Sequence, residues 1–554
     1  MGLFIKKPLA SLIAEASDTS GKSLKRVLGP LSLVALGVGV IIGAGLFSIT
    51  GTVASEYAGP GITLSFVIAA IGCCFAGLCY AEFASMIPVA GSAYTYSYAT
   101  MGELVAWIIG WDLVLEYCVA ATTVSISWSR YLTLFLEGFD VHLPAALTAC
   151  PWDGGIANIP AFVIVVLMSL LLIRGTEGSS WFNGFIVFLK VSVVLIFVVL
   201  GWKYIRMENY VPYVPANTGT LGEFGFSGVL RGAAVVFFAF LGFDAVSTAA
   251  QETKNPQRDM PIGILMSLAV CTILYILFAH VMTGVVHYSA FEGANGIAPV
   301  AIAIDHMGQM DATGVIHPDY PWMNRAIVLA ILFGYCSVIM VTLLGQSRVF
   351  LSMSRDGLLP PLFSHIHKRF RTPARSNLLF MLLVGLLATF VPATVAGEMC
   401  SIGTLFAFTL VCAGVLIVRR TMPDAPRSFK TPLVPFVPIA GIITCLVMML
   451  FLPADTWIRL VVWMLIGLDI YIGYGIRHSK LEYMRDYRRG ENVLNMIGIS
   501  LSVLCVVTGL WHQQTAGWSE SKGLLIISFV FALTHLAFYV YRMGKVRTHP
   551  SSEK

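Results

Sequence analysis

The sequence predicts an all-α integral membrane protein of about fourteen transmembrane helices, the first and the sixth broken at the midplane. Three observations carry this. First, of 554 residues 57% are hydrophobic and only 12% charged, with a mean hydropathy of +0.81, far outside soluble globular usage. Second, apolar windows of about 20 residues, long enough to cross hydrocarbon, begin near Leu28, Gly61, Glu103, Ile159, Phe182, Gly228, Pro261, Met323, Ser376, Glu398, Val434, Trp457, Val493 and Gly523. Third, two of these windows carry helix breakers at matching places.

The first window, LSLVALGVGVIIGAGLFSITG from Leu31, holds Gly37, Gly39, Gly43, Gly45 and Gly51. A break in a membrane helix survives only where protein or a water-filled cavity covers it. The cluster Gly43-Ala44-Gly45 is where the break is expected. Unwinding there frees N–H groups at the start of the second half-helix, whose dipole favours an anion such as a carboxylate. The same glycines also suit close packing, since Gly39 and Gly43 form a GxxxG spacing. The cluster alone does not separate these readings. The spacing is not a dinucleotide fingerprint, because no strand precedes it.

The second breaker lies five helices later, in RGAAVVFFAFLGFDAVSTAAQETKNP from Arg231, where Gly242 and Asp244 fall mid-membrane. Interrupted helices at corresponding places in two successive five-helix units point to an inverted-repeat secondary transporter with its site between them. The expected divisions are a cytoplasmic segment 1–27, a first repeat 28–203, a second repeat 228–420, additional helices 434–542 and a cytoplasmic tail 543–554.

Charge sets the orientation. With the N-terminus inside, the cytoplasmic segments hold 27 of the 35 Lys and Arg residues, the opposite side seven, and Lys190 lies within a helix. That asymmetry places both termini in the cytoplasm, and the net charge of +5 belongs to orienting loops rather than to a nucleic-acid surface. The N-terminus lacks the short apolar core and small-residue site of a signal peptide, and the acylation pattern is missing its Ser or Thr. Eleven cysteines lie mostly in apolar runs without CxxC or CxxxH spacing, so neither a disulfide framework nor a metal site is expected. No cofactor is expected either. The stretch from His287 to Trp322 reads as a structured external cap.

Four stretches, GVGVIIGAGLFSITG (37–51), CYAEFASMIPVAGSAYTYSYATMGELVAWIIGWDLVLEY (79–117), FFAFLGFDAVSTAAQETKNPQRDMPIGI (237–264) and GQSRVFLSMSRDGLLPPLF (345–363), resemble the amino acid–polyamine–organocation superfamily of transporters over about residues 25–480. The fourteen-helix length is most similar to its cationic amino acid transporter branch, with a five-plus-five inverted-repeat core. The resemblance implies that backbone N–H groups of Gly43, Ala44 and Gly45 hold a substrate carboxylate. It also implies that carbonyls of Ile41, Phe238, Ala239 and Leu241 hold the α-amino group, with Phe240 beside them and Phe238 closing over the substrate.

Lys190 lies in the middle of FNGFIVFLKVSVVLIFVVLGW, too deep to reach an interface. A buried ammonium is costly and marks a functional site by default. The resemblance places it against the backbone carbonyl of Gly39, as a proton-coupling group. The alternative is a static pin between helices one and five. Glu116, with Asp112 one turn earlier, can meet a cationic side chain or be satisfied by neighbouring helices. Asp244 serves the same pocket or caps its half-helix. Thr342 falls where this fold brings helix eight to the substrate side chain. Glu82, Arg348, Arg355 and Asp356 are expected to form an inner gate network or to anchor loops rather than to bind substrate.

These readings lead to secondary active transport of amino acids across the cytoplasmic membrane by alternating access, as proton symport with cationic amino acids favoured. The alternatives are a neutral amino acid transporter or an exchanger of the same fold, and, from another class, a receptor that binds an amino acid without moving it. An enzyme is not expected, since no nucleophile–base pair, metal-ligand set or phosphate loop stands at useful spacing. The expected partners are the amino acid, protons and membrane lipid, without nucleic acid or an indicated partner subunit.

Overall fold

The computed structural model describes residues 4–8, 28–43, 45–87, 89, 91–174, 179–250, 253–292, 299–310, 316–367, 372–480, 487–516 and 518–548. Helix one begins as α1 (Pro30–Ile41), with Pro30 in its first turn, where the missing N–H costs nothing. The Ile42 N–H closes on Val38 O at 3.0 Å, and Ile42 then turns extended at ψ 101°. Helical winding resumes over Gly45–Ile49, α2 (Thr50–Val53) and Ala54–Ala58. Much of it is in the wide π form that marks functional sites. Ala44 lies outside the described residues, as does nearly all of the segment before Leu28.

α3 (Ile62–Met86), the short α4 (Ser92–Thr100), α5 (Glu103–Glu137), α6 (Ile159–Arg174) and α7 (Ser179–Gly201) follow. Helix six enters as α8 (Gly225–Val236), tightens to a 3₁₀ turn at Phe237–Phe240, turns through Leu241 and Gly242, and restarts as α9 (Phe243–Thr248). Next come α10 (Pro256–Val285), α11 (Pro299–Asp305), α12 (Pro321–Arg355), α13 (Ala374–Phe390), α14 (Ala393–Thr421), α15 (Phe436–Leu450), α16 (Ala454–Ile470), α17 (Tyr487–Ala516) and α18 (Trp518–Thr548). Among the described residues, nine helical runs are long and apolar enough to cross a membrane. One of them, Pro30–Met86, turns at Gly59 with φ +58°. Three shorter apolar helices accompany them.

The core is helix packed on helix around α5, which is buried over most of its length between α12 and α14, while α10 packs on α1 and α3. Gly and Ala at these contacts let backbones approach closely. α17 and α18 pair with each other and lean on α16. The stretch expected as an external cap contains a 3₁₀ turn at Tyr288–Phe291, α11 and a two-stranded hairpin of β1 (Gly308–Met310) and β2 (Ile316–Pro318), with Gln309 opposite His317. This hairpin and a single parallel bridge between Leu28 and Thr253 are the departures from an all-α reading among the described residues.

One end of the bundle is strapped by residues 4–8. Lys7 N donates to Tyr98 O (3.1 Å), Glu103 N donates to Ile5 O (3.2 Å), and Lys7 Nζ pairs with Asp356 Oδ1 (2.9 Å). Tyr94 OH donates to the other oxygen of Asp356 (2.8 Å). Gly102 lies against this strap at φ +98°, and a Cβ there would fall 2.4 Å from the carbonyl carbon of Phe4.

At the same end Glu82, expected in an inner gate network or as a loop anchor, holds a loop. Fully buried Glu82 pairs with Arg419 (Nε–Oε1 2.8 Å) and Arg427 (Nε–Oε1 3.1 Å) and accepts Thr431 N (2.8 Å). The residues that satisfy Glu82 come from α14 and the loop after it, because a buried carboxylate needs both charge and donors, and that loop brings them.

Candidate substrate site

The two breaks face each other. A Cβ on Gly45 would lie 2.3 Å from Ala239 Cα, and one on Gly242 would lie 2.3 Å from Val40 Cγ1. Each close approach therefore requires glycine, and Gly242 also sits at φ +109°, a conformation that glycine adopts freely. The packing and unwinding readings of the glycines thus coincide. The first break turns back on itself, with Leu46 N and Phe47 N both donating to Gly43 O at 3.1 Å.

Between the breaks lies a cavity of about 30 Å³, room for roughly one water molecule. Ile41, Gly43, Gly45, Glu116, Phe238, Leu241 and Thr342 of the sequence-predicted set line it, joined by Val40, Tyr117, Ala120, Val124, Gly242 and Val338. The broken segments are thus drawn shut around a space smaller than an amino acid. Phe240 does not line the cavity. Its ring packs on Phe66 and Tyr275, with centroids 6.2 and 5.2 Å apart.

The Ala239 carbonyl is met by a residue that sequence reading missed. Tyr275 on α10 places its hydroxyl 2.8 Å from Ala239 O and 2.6 Å from Ile41 O, joining the two breaks. A Tyr at mid-helix in LAVCTILYILFAHVM had one available signal: a buried phenol needs a polar partner.

Lys190 on α7, 1% exposed, donates to Gly39 O at 2.6 Å and to Ile42 O at 2.9 Å. Its stem passes Gly334 on α12, where a Cβ would come within 2.8 Å of Lys190 Cε. The ammonium therefore ends α1, supplying donors to carbonyls that the break leaves free. Sequence reading placed it at Gly39, and the second contact, to Ile42, is added by the turn itself.

Glu116 is 1% exposed, and its Oε2 has no hydrogen-bond partner among the described residues. Asp112, one turn along α5, is fully buried with neither oxygen partnered there. Asp244 accepts the Tyr117 hydroxyl at 2.7 Å. Among the described residues no lysine or arginine forms an ion pair with these three carboxyl groups. Thr342 turns its hydroxyl to its own helix, at 2.9 Å from Val338 O and 3.0 Å from Ile339 O.

The profile of the family described as Amino acid permease matches residues 28–468. The chain belongs to the amino acid permease family. It is 46% identical to the branched-chain amino acid permease BcaP of Bacillus subtilis, over 87% of this chain and 99% of that one. It is 42% identical to the methylthioribose transporter of the same organism over the same shares. It is 39% identical to the vacuolar cationic amino acid transporter 2 of Arabidopsis thaliana, over 74% of this chain and 62% of that one. Among solved structures, MhsT in complex with L-phenylalanine superposes with a TM-score of 0.54 at 13% identity, over 77% of this chain and 99% of that one, a likeness of fold. The permease is therefore a multi-pass membrane protein of amino acid transport, from a family of transporters rather than enzymes.

Proposed function

We propose that the permease is a proton-coupled symporter of amino acids that works by alternating access. The observation that supports it best is the meeting of two broken helices at one buried cavity. An anion is favoured at the restart of helix one and a cation at the freed carbonyls. In this reading Gly43, Ala44 and Gly45 hold the carboxylate by N–H groups, and Ile41, Phe238, Ala239 and Leu241 hold the ammonium. The core is a five-plus-five inverted repeat, 28–203 and 228–420, within fourteen helices. Residues 434–542 are additions, and both termini are cytoplasmic.

Lys190 is the coupling group. Protonated, it ties α1 to α7 through Gly39 O and Ile42 O. Once its proton is lost, the charge-assisted bonds weaken and α1 is freed to move. A proton taken from outside and released inside would thus drive the cycle.

For the substrate side chain, the apolar wall of Ala120, Val124 and Val338 favours a neutral aliphatic group, in keeping with the likeness to a branched-chain permease. The second reading, a cationic side chain, is favoured by Glu116, which lines the same cavity and whose Oε2 has no hydrogen-bond partner among the described residues.

The test is uptake into liposomes of labelled isoleucine, alanine and arginine, with and without an acid-outside gradient. Gradient-driven accumulation of isoleucine with weak arginine uptake supports the neutral reading. Accumulation of arginine that is lost in Glu116→Gln supports the cationic one. Uptake indifferent to the gradient, but dependent on amino acid inside, would show an exchanger.

A further inference from the structure

At the end of the bundle that carries the strap, α16 and α18 diverge around a second cavity, of about 420 Å³, lined by Asp469, Ile472, Gly473, Arg477, His535 and Phe538 together with Thr534 and Arg542. Its floor is buried Ile472, and its outer wall is Phe538, 45% exposed. Gly473 is open, since a Cβ there would meet nothing within 4 Å.

The charged groups around this cavity are not all paired. Asp469 accepts the Tyr539 hydroxyl and lies 2.9 Å from His535 Nε2, while His535 Nδ1 lies 2.8 Å from Phe531 O. Arg542 pairs with Glu491 at 2.6 Å and lies over the Phe538 ring. Arg477 is exposed and has no hydrogen-bond or ion-pair partner among the described residues. Asp469 and Glu491 are thus engaged within the wall, and the guanidinium of Arg477 is left to meet an anion.

We propose that this cavity binds the phosphate of a membrane phospholipid. A guanidinium offers paired donors to phosphate oxygens, and basic pockets between helices on the cytoplasmic side hold phospholipid headgroups. The single unpaired guanidinium suits a phosphodiester monoanion. Phe538, with exposed Tyr541 (68%) three residues on along the same face of α18, offers an apolar track for an acyl chain. The inference uses the orientation proposed above, but its test does not depend on transport.

The experiment is native mass spectrometry of the delipidated full chain, titrated with phosphatidylglycerol. Phosphatidylethanolamine, glycerol phosphate and inorganic phosphate serve as the other arms. The variants are Gly473→Leu, which fills the cavity, and Arg477→Gln, with Lys203→Gln, outside this cavity, as control. Arg477→Gln should reduce phosphatidylglycerol occupancy by about five-fold, the weight of one basic residue against a phosphate headgroup, and Gly473→Leu should reduce it as well, with the control unchanged. Equal occupancy in both variants and the native chain would overturn the site. Binding of glycerol phosphate or inorganic phosphate as tight as that of phosphatidylglycerol would overturn its assignment to lipid. If Gly473→Leu proves misfolded by loss of its thermal transition, Arg477→Gln, an exposed change, decides alone.

Discussion

The Tyr275 hydroxyl stands 2.6 Å from Ile41 O and 2.8 Å from Ala239 O, so one proton is offered to two carbonyls from two broken helices. In the proposed mode of binding, a substrate ammonium would compete with it for the same acceptors. Tyr275→Phe keeps the ring on Phe66 and Phe240 but leaves both carbonyls without this donor. Such a loss costs about 1–3 kcal/mol. The melting temperature of the substrate-free protein should fall, and the added stabilisation by a transported amino acid should grow. An unchanged substrate-free melt would remove Tyr275 from this role.

Lys190→Met preserves length and apolar bulk without the ammonium. Uptake driven by an acid-outside gradient should drop to its gradient-free level, while exchange of labelled for unlabelled amino acid persists. Retained gradient response would make Lys190 a structural pin. Gly334→Val should act through the same lysine, because its branch would enter the space of Lys190 Cε, with overpacking worth about 1–3 kcal/mol.

Gly45→Ala places a methyl 2.3 Å from Ala239 Cα. Backbone cannot yield as a side-chain tip does, so the two breaks must separate. Amino acid binding, read as ligand-induced thermal stabilisation, should be lost while the protein still inserts in the membrane. Gly184→Ala, where a Cβ meets nothing within 4 Å, is the comparison. Equal binding in native and Gly45→Ala protein would refute the close approach.

Gly102→Ala should dislodge the strap of residues 4–8 by conflict with the Phe4 backbone. Lys7→Ala should do so more gently, since an ion pair at about 15% exposure is worth on the order of 1 kcal/mol. The readout is thiol labelling of a cysteine placed at Ser92, buried at this end of the bundle. Labelling should rise in both variants, more in Gly102→Ala.

Much of this arrangement was legible because membranes punish irregular backbone. Glycine clusters at Gly43–Gly45 and Gly242 in otherwise apolar windows have few explanations, and a lysine at 190 has fewer. What the sequence hides are partnerships set by tertiary packing. Glu82 and Arg427 are 345 residues apart, and nothing local in either stretch names the other. Tyr275 is one of 20 tyrosines, and only the convergence of three helices brings its hydroxyl to the breaks. Phe240, adjacent to lining residues in sequence, turns away because a 3₁₀ turn sends neighbours about 120° apart around its axis.

The shut cavity has a bearing on leakage. With space for about one water molecule, the gap between the two breaks holds no chain of waters of its own. Under the proposed coupling, an amino acid that wedges the breaks apart would also widen this gap, so that tight coupling would follow from the closure of the empty site rather than from any separate latch.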